Sequence, residues 1–189
     1  MKRYRIFSFD FDSRAHSLEP VQDQWDEKVK EQHIKNREKT IKGLAEQFGF
    51  WNIEQKVENF KDLKYKPFSV AAFHNKFLDQ IRSSFVVGGY YPALTGACAL
   101  GERILNHMVL LLRDYHKQSP EYKKLYRKQS FDYWPAAIDA LQSWSELLPE
   151  AAKNLESLMT NVIMLSILIR KRITMIVSSL CKLSIYFKI

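Results

Sequence analysis

The chain has 189 residues and a mass of 22.3 kDa, which suits one domain with its own hydrophobic core. Hydrophobic residues make up 46% of it, and Gly and Pro number only 6 each, which excludes disordered, collagen-like and low-complexity proteins. Its two cysteines, Cys98 and Cys181, cannot build a disulfide framework or a four-thiolate zinc site. Because the amino terminus has no signal-peptide pattern, we expect a protein of the reducing cytoplasm.

The formal net charge of +8 is distributed unevenly. The last 29 residues carry five of the 29 basic residues and none of the 21 acidic ones, which leaves a net charge of +3 on the first 160. Residues 23–42 interleave basic and acidic side chains, which predicts a solvated, ion-paired helix face rather than a phosphate-binding stripe. The denser basic patch is at residues 121–129.

Apolar periodicity predicts an all-α protein, a helical bundle preceded by a short extended segment at residues 3–12. Three helices are then predicted over residues 20–47, 52–60 and 68–87, the first with Val21, Trp25, Val29, Ile34, Ile41, Leu44 and Phe48 on its apolar side. The predicted buried face of the third helix consists of Val70, Phe73, Phe77, Leu78, Ile81 and Phe85.

The helix that begins at Pro92 is the most apolar and is predicted to run through the centre of the bundle. Its buried stripe comprises Leu94, Ala97, Cys98, Gly101, Leu105, Met108, Leu112 and Tyr115. Small residues at its start permit close approach of a neighbouring helix. Later helices are predicted to begin at Pro120 and to cover residues 134–148 and 151–159.

The sequence changes in character at Asn161, after which it contains no acid, Gly or Pro. We therefore predict a helical-bundle domain over residues 1–160 and an aberrant apolar, basic tail over residues 161–189. The apolar runs on either side of residues 170–172 are too short to span about 30 Å of hydrocarbon as helices, whereas an interfacial amphipathic segment stays an alternative. A shifted reading frame is a third explanation, because codon degeneracy permits the codons from Val162 onward to encode the string RHNAIHFNP in another frame.

A family resemblance is carried by the segments KRYRIFSFDFDSRA, FSVAAFHNKFLDQIR and YYPALTGACALGERILNHMVLLLRD, which are similar to an uncharacterised bacterial all-helical family. In the shifted frame, an Arg is separated by four residues from a His that is followed by Phe-Asn. This spacing resembles the signature of HEPN-type proteins. That resemblance implies a metal-independent endoribonuclease or RNA-binding protein of toxin–antitoxin and phage-defence systems that acts as a homodimer without a cofactor. Because the Arg-x4-His motif is missing from the translated chain, it also implies a truncated or frameshifted product without that activity.

Candidate catalytic residues in the chain as translated are Glu102, Arg103 and His107, within GERILNH. Arg103 and His107 are four residues apart and share one face of a helix. An imidazole beside a guanidinium can act as a general base with a phosphate clamp, as RNA cleavage through a 2′-hydroxyl requires. The spacing differs from the HEPN pattern, and a structural role in a buried polar contact or a dimer surface is the alternative.

Candidate RNA-binding residues are Lys123, Lys124, Tyr126 and Arg127, where aromatic and basic side chains alternate. Single-stranded RNA is held by cations along its phosphates and by rings that stack on its bases. A plain exposed helix is the alternative interpretation of this segment.

Two other site patterns are weaker. Asp10 and Asp12 superficially resemble the nucleophile loop of haloacid-dehalogenase-like phosphatases, but the following Gly-Thr and the alternating strands and helices of that fold are missing, which favours an exposed strand end. The histidines have no metal-ligand spacing, so no metal or cofactor is predicted. Two competing functions are a module that binds a partner helix at the Ala/Gly-rich start of the central helix, and peripheral membrane association through the tail.

Overall fold

The structure is a computed structural model that describes residues 10–69, 72–129 and 133–163. It confirms the all-α class. The described residues form seven α-helices, which are α1 (Glu27–Phe48), α2 (Ile53–Asp62), α3 (Ala72–Val86), α4 (Tyr90–Leu112), α5 (Tyr122–Leu125), α6 (Trp134–Ser143) and α7 (Pro149–Ile163). Strands β1 (Asp10–Asp12) and β2 (Lys66–Ser69) pair in antiparallel fashion. Most of the predicted tail and of the predicted extended segment lies outside the described residues.

The central position of α4 is confirmed. It packs against α3 on one side and against α6 and α7 on the other, because apolar residues occupy most of its circumference. The predicted stripe is buried at Leu94, Ala97, Gly101, Leu105 and Met108. The prediction that Tyr115 is buried on this stripe was wrong, because its side chain is 85% exposed. The helix α4 ends at Leu112, and Arg113–Tyr115 form a 3₁₀ turn with a different periodicity.

The first helix begins later than its sequence suggests. It begins at Glu27 rather than at residue 20, after the candidate cap Asp26. Val29 and Ile34, predicted on its apolar side, are each 48% exposed, whereas the predicted Leu44 is buried. Apart from Val29 and Ile34 the amino-terminal half of α1 is polar, and only the carboxyl-terminal half contributes to the core.

Side chains from other elements close the carboxyl ends of α1 and α3, where the last carbonyls have no partner within their own helix. The ammonium group of Lys56, which is buried, donates to the carbonyls of Phe48 (2.8 Å) and Gly49 (3.1 Å) at the end of α1. The amide of Asn59, fully buried, donates to the last two carbonyls of α3, those of Phe85 and Val86 at 3.2 and 3.1 Å.

Two arginines have the same role at α2 and α5. The guanidinium of Arg82 donates to the carbonyls of Leu63 (3.5 Å) and Lys64 (3.2 Å), just beyond α2. The guanidinium of Arg113 donates to the carbonyl of Leu125, the last residue of α5, at 3.1 Å. A cation suits a helix carboxyl end because the macrodipole places partial negative charge there.

Gly96 permits the close approach of α3 and α4. A Cβ atom added there would lie 2.9 Å from Cγ1 of Ile81, which cannot move aside because Ile81 is buried. By contrast, a Cβ at Gly43 in α1 would meet nothing within 4 Å. Both glycines are inside helices and therefore differ mainly in the space around them.

We therefore predict opposite effects of the same substitution at these two glycines. Gly96→Ala should lower the free energy of unfolding by about 1 kcal/mol, since overpacking costs roughly 1–3 kcal/mol and alanine restores about 1 kcal/mol of helix propensity. Gly43→Ala should raise it by about 0.5–1 kcal/mol. Urea titration of the three proteins measures both effects, and a stabilised Gly96→Ala protein would contradict the close packing.

Candidate functional site

Arg103 and His107 lie on the side of α4 that packs against α3. The ring of His107 meets the ring of His74 edge-on, with centroids 5.6 Å apart, and the guanidinium carbon of Arg103 lies 5.7 Å from the centre of the Phe77 ring. His74 and Phe77 were not predicted to belong to this cluster. Their spacing of three places both side chains on one face of α3, but it carries no signal for the residues of α4 that they meet.

Glu102, the third candidate catalytic residue, is exposed, and its backbone carbonyl accepts a hydrogen bond from the side-chain amide of Asn106 at 3.0 Å. It precedes Arg103 by one residue, which turns its side chain about 100° around the helix axis. Of the three candidate catalytic residues, Arg103 and His107 are therefore the two whose side chains meet side chains of α3.

The environment of the two imidazoles keeps them neutral. Burial lowers the pKa of His74 from 6.5 to about 4, and the nearby His107 and Arg103 lower it further. Burial, with a smaller effect of Arg103, also lowers the pKa of His107. At pH 7 the two rings can accept protons or hydrogen bonds, but neither is protonated and able to act as a general acid toward a leaving group.

An apolar groove of about 260 Å³ runs from Arg103 along the α3–α4 seam. Four residues of α3 and five of α4 line it, namely Phe77, Gln80, Ile81 and Ser84, and Pro92, Gly96, Ala99, Leu100 and Arg103. The prediction that Phe77 is buried was wrong: its side chain is 38% exposed and lies at the edge of the groove, because α3 packs on α4 through the neighbouring face that includes Leu78 and Ile81.

The candidate RNA-binding residues lie together on and just after α5, which is a single turn rather than the longer helix predicted. The rings of Tyr122 and Tyr126 stack with centroids 5.7 Å apart and planes inclined by 26°. The guanidinium carbon of Arg127 lies 5.1 Å from the centre of the Tyr126 ring. Lys123 and Lys124 are exposed beside this stack. We call Tyr122, Lys123, Lys124, Tyr126 and Arg127 the α5 patch.

The α5 patch is fixed to the bundle at two points. Leu125, in its middle, is buried in the core, and Arg113 donates to the carbonyls of Leu125 and Lys128 on either side of the exposed residues. Residues 113–129 as a whole contain six Lys or Arg residues but only two acids, Asp114 and Glu121. This segment is thus a basic surface on a fixed backbone.

The aspartates that resemble a phosphatase loop are held in ion pairs. Asp12 accepts hydrogen bonds from the Arg14 side chain, the shortest at 2.8 Å from Nη2. Burial raises the pKa of Asp12, but the hydrogen bonds from Arg14 have the larger combined effect and hold this pKa below 3.8. Asp10 binds the ammonium group of the buried Lys66, which also donates to Asp79 at 2.5 Å. Lys66 of β2 therefore joins β1 through Asp10 and α3 through Asp79, whereas Asp12 pairs locally with Arg14.

Within the part of the chain that the structure describes, no three His, Cys, Asp or Glu side chains are grouped so that they could hold a metal ion. Nor does any helix of these residues combine the length and apolar character needed to cross a membrane. Comparison of the chain with protein-family models, curated proteins and solved structures gave no match. Function is therefore inferred from the chemistry of the described surfaces.

The lowered pKa of His74 predicts an acid-sensitive fold. The unfolded chain binds a proton at His74 below pH 6.5, whereas the folded chain does so only near pH 4, so stability is complete above pH 6.5 and is lost as the pH falls toward 4. The unfolding free energy should fall by up to about 1.4 kcal/mol per pH unit in this window. Urea titrations at pH 7, 6 and 5 measure it.

The variant His74→Gln, which cannot titrate, isolates this effect from the other ionisable groups. Its unfolding free energy should fall less steeply than that of the wild type between pH 6.5 and 4.5. Parallel slopes for the two proteins would show that His74 takes up its proton equally in the folded and unfolded states.

Proposed function

We propose that this chain binds single-stranded RNA through the α5 patch. The observation that carries the proposal is the ordered stack of Tyr122, Tyr126 and the Arg127 guanidinium, flanked by exposed lysines. Flat rings and guanidinium planes accept unstacked bases, and the lysines neutralise the phosphates between them. The HEPN-type resemblance points to the same ligand class, and we expect the protein to meet RNA in the cytoplasm.

The fixed backbone of the α5 patch also supports this function. Since Leu125 and Arg113 hold the segment in place, its aromatic rings are ordered before RNA arrives. Binding then orders mainly the RNA and a few lysine side chains, which reduces the entropy lost on association. A single-stranded ligand is favoured over a duplex because only unpaired bases can leave their stack and lie on the rings.

We predict that Tyr126→Ala weakens the binding of a fluorescently labelled 12-nucleotide RNA by about 5- to 150-fold, as expected for the loss of roughly 1–3 kcal/mol of base stacking. Tyr126→Phe keeps the ring and should retain most of the affinity. Fluorescence anisotropy measures both variants, with circular dichroism to confirm that each remains folded.

The lysines are tested by the salt dependence of the same binding. Lys123→Gln and Lys124→Gln should each reduce the slope of log affinity against log salt by about 0.7. Lys42→Gln, which removes an exposed cation from α1, is the matched control and should leave the slope unchanged. If Lys42→Gln and Lys124→Gln have equal effects, the binding is diffuse and the α5 patch is not its site.

RNA cleavage at Arg103 and His107 is the second candidate function. It is supported by the lowered pKa of His107, which provides a neutral base beside a guanidinium. Concerted cleavage also needs a protonated acid, and His74, the ring in contact with His107, has a pKa of about 4 and is neutral at pH 7. The absence of a protonated acid beside His107 therefore favours binding without cleavage.

We expect a 5′-labelled RNA to remain intact with the protein and EDTA at pH 7 over several hours, as judged by denaturing gel electrophoresis. Degradation that resists EDTA and is lost in His107→Ala, but not in Lys42→Gln, would instead establish the second candidate function. RNA binding at the α5 patch is measured separately, so either result leaves the first proposal open to its own test.

A further inference from the structure

The groove between α3 and α4 is a concave surface that RNA binding at the α5 patch does not use. Its floor is the buried pair Ile81 and Leu100, and Gly96, which packs directly against Ile81, lines the groove without a side chain. The exposed Ala99 forms part of the rim. A small apolar group bound in the groove would be transferred from water to a hydrocarbon surface, which is favourable.

The end of the groove at Arg103 has a different chemistry. Arg103 is the charged residue among the side chains that line the groove, and it is exposed, so an anion can reach it from solvent. Its guanidinium lies over the Phe77 ring, which keeps the charge beside the apolar floor. The planar guanidinium matches the two oxygens of a carboxylate.

We propose that this groove binds a small apolar carboxylate, with its hydrocarbon part on Ile81, Gly96 and Ala99 and its carboxylate paired with Arg103. The volume of about 260 Å³ is just below the range of small-molecule pockets, so a ligand of about ten non-hydrogen atoms is the expected size. A monoanion is favoured over a phosphate dianion, because one guanidinium lines the groove to balance the charge.

Isothermal titration calorimetry at pH 7.5 with octanoate, 1-octanol and octylammonium tests this proposal, since the three probes share one alkyl chain and differ in charge. We expect octanoate to bind at least ten-fold more tightly than either of the others. Arg103→Gln should reduce the affinity for octanoate to that for 1-octanol. Ala99→Leu, which fills the groove from its exposed rim, should weaken octanoate binding by ten-fold or more.

Arg127→Gln is the matched control, because it removes an exposed arginine from the α5 patch rather than from the groove. It should weaken RNA binding and leave octanoate binding unchanged, which separates this proposal from the proposed function. Equal affinities for octanoate and 1-octanol would overturn the role of Arg103. The absence of octanoate binding, or octanoate binding that Ala99→Leu leaves intact, would overturn the groove as the site.

Discussion

The close contact between α3 and α4 at Gly96 is the constraint on which the cluster and the groove both depend. Because Gly96 has no Cβ, Ile81 packs directly against α4, and the helices lie near enough for His74 to touch His107 one turn beyond Arg103. The same approach removes His74 from water, which lowers its pKa, and leaves an apolar channel along the seam. A larger residue at position 96 would alter all three features together.

Caps supplied by other elements fix the relative positions of the helices. Two residues of α2, Lys56 and Asn59, close the carboxyl ends of α1 and α3. Arg82 of α3 closes α2, and Arg113, in the turn after α4, closes α5. A helix propensity or an apolar contact tolerates sliding, but a hydrogen bond of about 3 Å to a particular carbonyl does not. Lys56 and Arg82 are buried with carbonyl partners, so the helix ends satisfy charges that would otherwise be costly to bury.

Features that depend on local periodicity could be predicted from the sequence. Features that depend on contact with a residue far away in the chain could not. The apolar circumference of α4 predicts its central place, and the spacing of Arg103 and His107 predicts their shared face. His74 has no such signal, because a lone histidine in an apolar helix does not name the residue it meets. The late start of α1 was missed because its first apolar residues have no core to cover, and β2 was missed because its partner, β1, is more than 50 residues earlier.

Net charge has meaning for a nucleic-acid surface only after the cations that the fold itself uses are set aside. Lys56, Arg82 and Arg113 close helix ends, and the buried Lys66 joins the carboxylates of two other elements. Of the remaining cations, those of α1 and of the α5 patch are mainly on the surface and fall into two kinds of environment. The lysines of α1 alternate with acids along a solvated helix, whereas those of the α5 patch lie beside stacked rings. A local excess of charge next to aromatic planes, rather than the total of +8, is what distinguishes a surface suited to RNA from a merely basic one.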